Sequence, residues 1–307
     1  LEGEKILHDN NNLFLYQKHS KMRVLNTPVF YVPYIVTPSP LRKERKSGFL
    51  TPSIALNFFD TKTSQSTSFP YYFNIDIDKE LMFTPIINYG GGVDTSQRFI
   101  FDYNQILSGG NFKSDLTIDS NFENKNNNKW LTDASLITKF NKNLNHQYRI
   151  NINSAIQTSK NYIQITKPND DLSYTNSLKT DLGLEGFNLN KIDDQLKINV
   201  SFYQTNQENE DNKLIPTVLP NIKYHTGYFN KYGNITHSTF KFYNIMREKS
   251  SNVHAKRQQK LSHKYNFKKE IIDYNSKIQL KAEIYNQIFN TEKKQISNNN
   301  YTSGSYF

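Results

Sequence analysis

Along much of this chain apolar and polar residues alternate with a period of two. Phe112, Ser114, Leu116, Ile118 and Phe122 fall on one side of an extended segment, and Lys113, Asp115, Thr117, Asp119 and Asn121 on the other. A β-strand is the backbone that sends successive side chains to opposite faces. The pattern returns in Tyr148, Ile150, Ile152 and Ile156, in Leu196, Ile198, Val200 and Phe202, and in Ile278, Leu280, Ala282 and Ile284. These segments are about ten residues long, the length of a tilted strand that crosses a bilayer. Spacers rich in Asn, Asp, Gly and Ser at 123–129, 141–145, 168–171 and 204–213 predict turns and loops. Phe112, Phe122, Phe140 and Tyr148 sit at segment ends, where an interfacial aromatic girdle would place them. The tract Arg247 to Lys269 is charged and lacks an apolar stripe, so it is expected as a polar loop or as polar continuations of two strands.

The stretch Pro28 to Pro52, PVFYVPYIVTPSPLRKERKSGFLTP, departs from this regularity. Val29 to Val32, Tyr34 to Val36 and Phe49 to Leu56 carry the β-branched and aromatic bias of strands. Yet Pro33, Pro38, Pro40 and Pro52 each remove a ladder donor, which confines such strands to edges, to ends, or to pairings built to be weak. These prolines either stop strands beside a turn or weaken a sheet that opens. Residues 1–34 hold short apolar pulses at Ile6–Leu7, Leu13–Tyr16 and Met22–Leu25, compatible with the rungs of a small β-sandwich or jellyroll.

The run PVFYVPY, a proline-ended apolar segment, a basic turn, KSGFLTPS, FPYYFNI at Phe69 to Ile75, and LMFTP at Leu81 to Pro85 resemble the LptD family of LPS-assembly proteins. The resemblance implies an all-β fold: residues 1–34 as the end of a periplasmic β-jellyroll, and 35–307 as about a dozen antiparallel strands of a larger transmembrane β-barrel. It implies insertion of lipopolysaccharide into the outer leaflet, with no enzymatic step, from a protein in the outer membrane whose N-terminal part lies in the periplasm. The partners it implies are lipopolysaccharide, outer-membrane lipid, an LptE-like plug lipoprotein and an LptA-like periplasmic bridge.

The family's lateral gate maps onto Tyr34, Pro38 or Pro40, and Pro52, with a first barrel strand at about Tyr34 to Thr37 and a second at about Gly48 to Leu56. The basic turn between them is expected at the cell exterior, where Arg42, Lys43, Arg45 and Lys46 would meet lipid phosphates. Leu13, Leu15, Val24, Val29 and Tyr31 are the expected lipid path of the jellyroll. Other readings of the residues are a porin or adhesin barrel, and a secreted β-rich module that binds glycan or lipid.

Composition fits this picture. Tyr and Phe number 20 and 21 against a single Trp, and the mean hydropathy is −0.73. A barrel needs apolar residues only at alternate positions, so a polar average is compatible with a membrane. A spanning helix would need roughly 18 consecutive apolar residues, and no such run occurs. The net charge of +10 comes from scattered Lys without a nucleic-acid motif, so no nucleic-acid partner is expected. There is no Cys, and the seven His form no ligand spacing, so neither a metal nor another cofactor is expected. The chain starts at Leu1 without a leader and is expected to be part of something longer.

Overall fold

The computed structural model of the chain describes residues 2–24, 27–41, 45–59, 62–90, 93–123, 129–190, 192–231, 234–251, 254–274, 276–297 and 300–306. The fold class is the expected one, all-β and antiparallel, with the strands of a partial β-barrel. Among the described residues no helix is long and apolar enough to cross a membrane. The chain divides into two units, Leu1–Ile106 with Lys113–Ser135, and Leu107–Phe112 with Leu136–Phe307.

The first unit begins with a three-stranded antiparallel sheet of β1 (Lys5–Asp9), β2 (Phe14–Val24) and β3 (Thr27–Pro38). β3 runs across the expected boundary at residue 34. The run Val29–Val36 continues as one strand through Pro38, and Tyr34 to Thr37 pair with Lys18 to Leu15 of β2 rather than opening the barrel. Pro33 is tolerated inside β3 because the ladder steps from Lys18–Tyr34 to Ser20–Val32 without a bond at this level, where Pro33 stands opposite His19, a residue of β2 with a left-handed φ of 50°. Past the basic segment come β4 (Gly48–Phe49), β5 (Ser53–Phe59), β6 (Lys62–Ser68), β7 (Tyr71–Asp76), β8 (Lys79–Gly90), β9 (Val93–Leu107) and β10 (Gly110–Glu123). Arg98 of β9 makes a bidentate ion pair with Asp119 of β10 at 2.7 and 2.8 Å, largely shielded from water. Phe83, Phe99 and Phe101 form an aromatic cluster with centroids 4.8 and 6.2 Å apart.

β11 (Lys129–Asn143) leads into the second unit, which continues with β12 (Tyr148–Gln157), β13 (Ser177–Phe187), β14 (Gln195–Thr205), β15 (Thr217–His225), the short β16 (Phe229–Lys231), β17 (Asn234–Met246), β18 (Arg257–Asp273), β19 (Ser276–Ser297) and β20 (Asn300–Tyr306). Each of β12 to β15 pairs antiparallel with the next; β15 pairs with β17, and the order continues through β18, β19 and β20.

Short connections such as 144–147 alternate with long ones such as 158–176 and 206–216. The longest holds α1 (Tyr162–Thr166), whose fully buried Ile163 packs on Ala155 and Leu178. The Gln157 side chain holds this loop, accepting from the Ile163 N–H at 2.9 Å and donating to Asn206 at 3.1 Å. At the β9–β10 turn Gly109 has φ 76°, and a Cβ on Gly110 would lie 2.0 Å from the Asn141 carbonyl oxygen, so only glycine fits there. The charged tract from Arg257 onward is β18 rather than a loop, paired with β17 over Arg257–Lys269 and with β19 over Arg257–Asp273.

Burial in the second unit is inverted relative to a water-soluble domain. Ser201, Thr205, Asn206, Asn244 and Ser262 are buried, while Leu182, Phe202, Phe240, Leu261, Ile278, Leu280, Ile284 and Ile288 are exposed. Strands with an outward apolar face and a polar inner face show this pattern.

Candidate functional site

The residues singled out by the sequence converge in the first unit, where β3 gives way to the basic segment and β4. A groove of about 320 Å³ is lined by Leu15 and Gln17 of β2, Ile35 and Thr37 of β3, and Pro40, Phe49, Leu50, Thr51 and Pro52. Alternation along paired strands puts Leu15, Gln17, Ile35 and Thr37 on one face, since Leu15 stands opposite Thr37 and Gln17 opposite Ile35. Ile35 and Pro52 are buried, whereas Phe49 and Leu50 are partly exposed at the rim. The wall is mainly apolar, without an ionised group among its lining residues.

Ser39 fixes the exit from β3. Its N–H donates to the Leu13 carbonyl at 2.9 Å, and its buried hydroxyl lies 2.8 Å from His8 Nε2. The next residue, Pro40, turns the chain along the groove.

Beyond the groove the strand pairing is interrupted. Gly48 and Phe49 pair with Tyr72 and Tyr71, whereas from Ser53 onward the partner is Ser68, which shifts the register by one residue across Leu50–Pro52. In a regular antiparallel ladder, residues in a hydrogen-bonded pair exchange two N–H to O=C bonds. Here Leu50 N–H donates to the Pro70 carbonyl at 2.9 Å, but Pro70 has no N–H to return the bond. One strand further on, Phe69 N–H donates to the Pro85 carbonyl at 3.0 Å, and Pro85 cannot reciprocate. Two successive strand pairs are thus held at this level by one bond each where two are normal. Pro70 and Pro85 were not singled out as gate residues by the sequence. Their prolines lie within FPYYFNI and LMFTP, but only the register shows that they stand side by side.

The other expected site residues are distributed as follows. Pro40 and Pro52 line the groove, and Pro38 ends β3 opposite Phe14. Tyr34 stands on the opposite face of β3, against Tyr16 at 6.5 Å between centroids, and does not join Pro52. Arg42 and Lys43 lie outside the described residues.

The described end of the basic segment is tied down at Arg45 and Lys46. Arg45 Nη1 donates to Glu80 Oε2 at 3.0 Å, and its carbonyl accepts from Asn74 Nδ2 at 3.0 Å, which ties the segment to the β7–β8 hairpin. Glu80 also accepts from Tyr72 and Asn104, so its oxygens collect three donors and give the basic segment a fixed anchor. Lys46 Nζ sits 5.8 Å from the Phe14 ring centroid, back against β2.

Of the expected lipid path, Leu15 lines the groove, and Tyr31 shares that face of β3 but is stacked on His19. Leu13 occupies the β1–β2 turn with φ 53°. The side chains of Val24 and Val29 lie outside the described set. Gln17, Thr37, Phe49 and Leu50 complete the groove; their apolar or neutral character in alternating strands was the available signal, but it does not reveal which strands meet.

No family model matches the chain. Among curated proteins it is 30% identical over 184 residues to the LPS-assembly protein LptD of Shewanella sp. (strain MR-4), a match that covers 59% of this chain and 21% of that protein. The LPS-assembly protein LptD of Shewanella oneidensis is 38% identical over 101 residues, 32% of this chain and 12% of that protein. That of Photobacterium profundum is 33% identical over 106 residues, 34% and 13%. The chain thus spans about a fifth of the length of the relative it matches most extensively among these. The resemblance carried by Pro28 to Ile75 therefore extends well beyond those residues, and the chain is recognised as matching a part of the LPS-assembly protein LptD.

Proposed function

We propose that this chain is the part of an outer-membrane LPS-assembly protein where lipid leaves a periplasmic sheet and enters the bilayer beside weakened barrel strands. The observation that carries the reading is the apolar groove between β2–β3 and Leu50–Pro52, adjoining two strand pairs that each lack a return bond. An apolar wall suits acyl chains, and each missing bond lowers the cost of parting the strands by about 0.5–1.5 kcal/mol net, more where water is scarce. Nothing in this role makes or breaks a covalent bond. The partners that go with it are lipopolysaccharide, a plug lipoprotein inside the barrel and a periplasmic jellyroll bridge that delivers lipid. In this orientation β1–β3 and the basic segment face the periplasm, so Arg45 and Lys46 would meet lipid phosphates before insertion rather than at the cell exterior. The lateral gate is then a property of the proline level, Pro52, Pro70 and Pro85, more than of Tyr34.

A photo-crosslinker placed singly at Ile35, Phe49 and Pro52 of the full-length protein in outer-membrane vesicles tests this. Lipopolysaccharide adducts at these positions, absent at Ile152 and Val200, are expected. Equal labelling everywhere, or none, would defeat the proposal and favour a porin or adhesin.

A further inference from the structure

The polar face of the second unit carries a feature that neither the groove nor the proline level uses. Lys197 of β14 stands directly opposite Lys223 of β15, and Lys223 directly opposite Lys241 of β17. Glu185 of β13 lies beside Lys197, to which it is bound at 2.8 Å, and Arg149 of β12 stands opposite Glu185 in turn. One carboxylate therefore shares the row with a guanidinium and three ammonium groups, and among the described residues Lys223 and Lys241 make no ion pair. Directly opposed residues on one face have Cβ atoms about 5 Å apart, and like charges in that relation destabilise a sheet. The adjoining positions on the other face, Leu184, Ile198, Ile222 and Phe242, are an unbroken apolar row. The strands are thus well specified in register, and the lysine row is fixed by it rather than by slippage.

We infer that Lys197, Lys223 and Lys241 form a binding row for a phosphorylated saccharide. Ammonium groups at the strand spacing of about 5 Å present a line of point charges that matches phosphate oxygens, and a bound anion removes the repulsion between Lys223 and Lys241. Two residues along the strands, Asn199 opposite Asn221, with Tyr243 opposite Asn221 in turn, offer amide and phenol groups suited to sugar hydroxyls. The Asn199 Oδ1 atom is buried without a hydrogen-bond partner. On the other side of the row lie Gln195 and His225, which are directly opposed. Cations flanked by neutral donors and acceptors fit an anionic sugar better than an acidic protein surface, which would call for more cations and fewer amides. The anion part of this assignment stands on the charges alone; the saccharide part rests on the LPS-assembly reading.

The test uses the full-length protein in detergent micelles and titrates a bis-phosphorylated disaccharide and its dephosphorylated counterpart by calorimetry. Wild type is expected to prefer the phosphorylated form, with affinity that falls as salt rises. Lys223→Gln with Lys241→Gln is expected to weaken that binding at least tenfold, to leave the dephosphorylated sugar unaffected, and to raise the thermal midpoint by relieving repulsion. Unchanged affinity in the variant, or equal affinity of the wild type for both sugars, overturns the proposal. So does a lowered midpoint accompanying lost binding, which would make the row structural; Lys223→Arg, keeping the charge, should then fail to retain binding, whereas the proposal expects it to succeed. Loss of a co-purifying acidic protein with unchanged sugar affinity would assign the row to that partner and overturn the saccharide. Because transport is not measured, a failure here leaves the crosslinking result at the groove intact.

Discussion

Replacing Pro70 with Ala supplies the N–H that the Leu50 carbonyl lacks, and the consequence can be sized from the register. Leu50 N–H already donates to the carbonyl of residue 70 at 2.9 Å, so the two residues are a hydrogen-bonded pair missing one of its two bonds. Restoring a ladder bond contributes about 1 kcal/mol net. Against this, Pro→Ala frees the unfolded chain by about 0.4–1 kcal/mol, so global stability should hardly move. Local opening of β4 from β7 is a different quantity, because it does not draw on unfolded-chain entropy at residue 70. It should become harder by the full bond, and 1 kcal/mol slows exchange of the Leu50 amide about fivefold. The same reasoning applies one strand further on, where Pro85→Ala should slow exchange at Phe69 by a similar factor. Hydrogen exchange read by mass spectrometry on peptides covering 48–53 and 68–72 makes the measurement, with β13 and β14 peptides as controls. Slower exchange at both sites with an unchanged denaturation midpoint is expected. Unchanged or faster exchange at Leu50 in Pro70→Ala would refute the claim that the prolines weaken these pairs, and with it the mechanical basis of the proposed gate. On the proposed function the double variant should also insert lipopolysaccharide more slowly.

Arg98→Met should destabilise the first unit by about 3 kcal/mol, because Asp119 stays buried without its bidentate partner, and Asp119→Leu added to it should recover most of that loss; additive effects in a urea-unfolding cycle would contradict the pairing. Gly110→Ala should abolish refolding or displace β11, since the new Cβ would lie 2.0 Å from the Asn141 carbonyl oxygen, and a normal refolding yield would count against the turn geometry. Asp9 accepts hydrogen bonds from the backbone and side chain of Asn12 and from the Asn11 N–H, which hold its carboxyl below the ordinary aspartate value. The β1–β2 turn should therefore keep this support above the unfolded aspartate pKa and lose it as pH falls through the lower folded value. Amide shifts of Asn11 and Asn12 against pH report the midpoint, and one at the ordinary aspartate value would dismiss the effect.

Alternation made β10, β12, β14 and β19 legible in the sequence, because each has one face of clear apolar residues. β18 was obscured: its apolar face interposes His263 between Leu261 and Tyr265, and Lys264 and Lys268 dominate the other face, so charge masked the period of two. The expected first barrel strand at Tyr34 to Thr37 came from the resemblance, whereas in the structure these residues continue β3, whose ladder with β2 steps over Pro33 opposite His19. Local pattern also said where donors were missing but not which acceptors were left waiting. That required the pairing of 50 with 70 and of 69 with 85, which joins segments far apart in the chain and which no local signal announces. Arg45 was noticed as a cation, yet its anchor on Glu80 is 35 positions away in sequence.

The length of β19 has a consequence for what stands above the bilayer. Its exposed apolar residues run from Ile278 to Ile288, the roughly 9–11 residues that cross a membrane when tilted. From Phe289 to Ser297 the strand goes on, paired with Asn290, Thr291, Lys294 and Gln295 among its residues to β20, and is mostly polar. About nine further residues at roughly 3.3 Å each make a stiff ribbon of about 30 Å, which at a 45° tilt rises about 20 Å clear of the hydrocarbon. A ribbon of that height is a mast. A short epitope inserted between Ser297 and Asn300 would leave every strand inside the lipid undisturbed, and whether antibody binds it on intact cells would report which side of the membrane this end of the protein occupies.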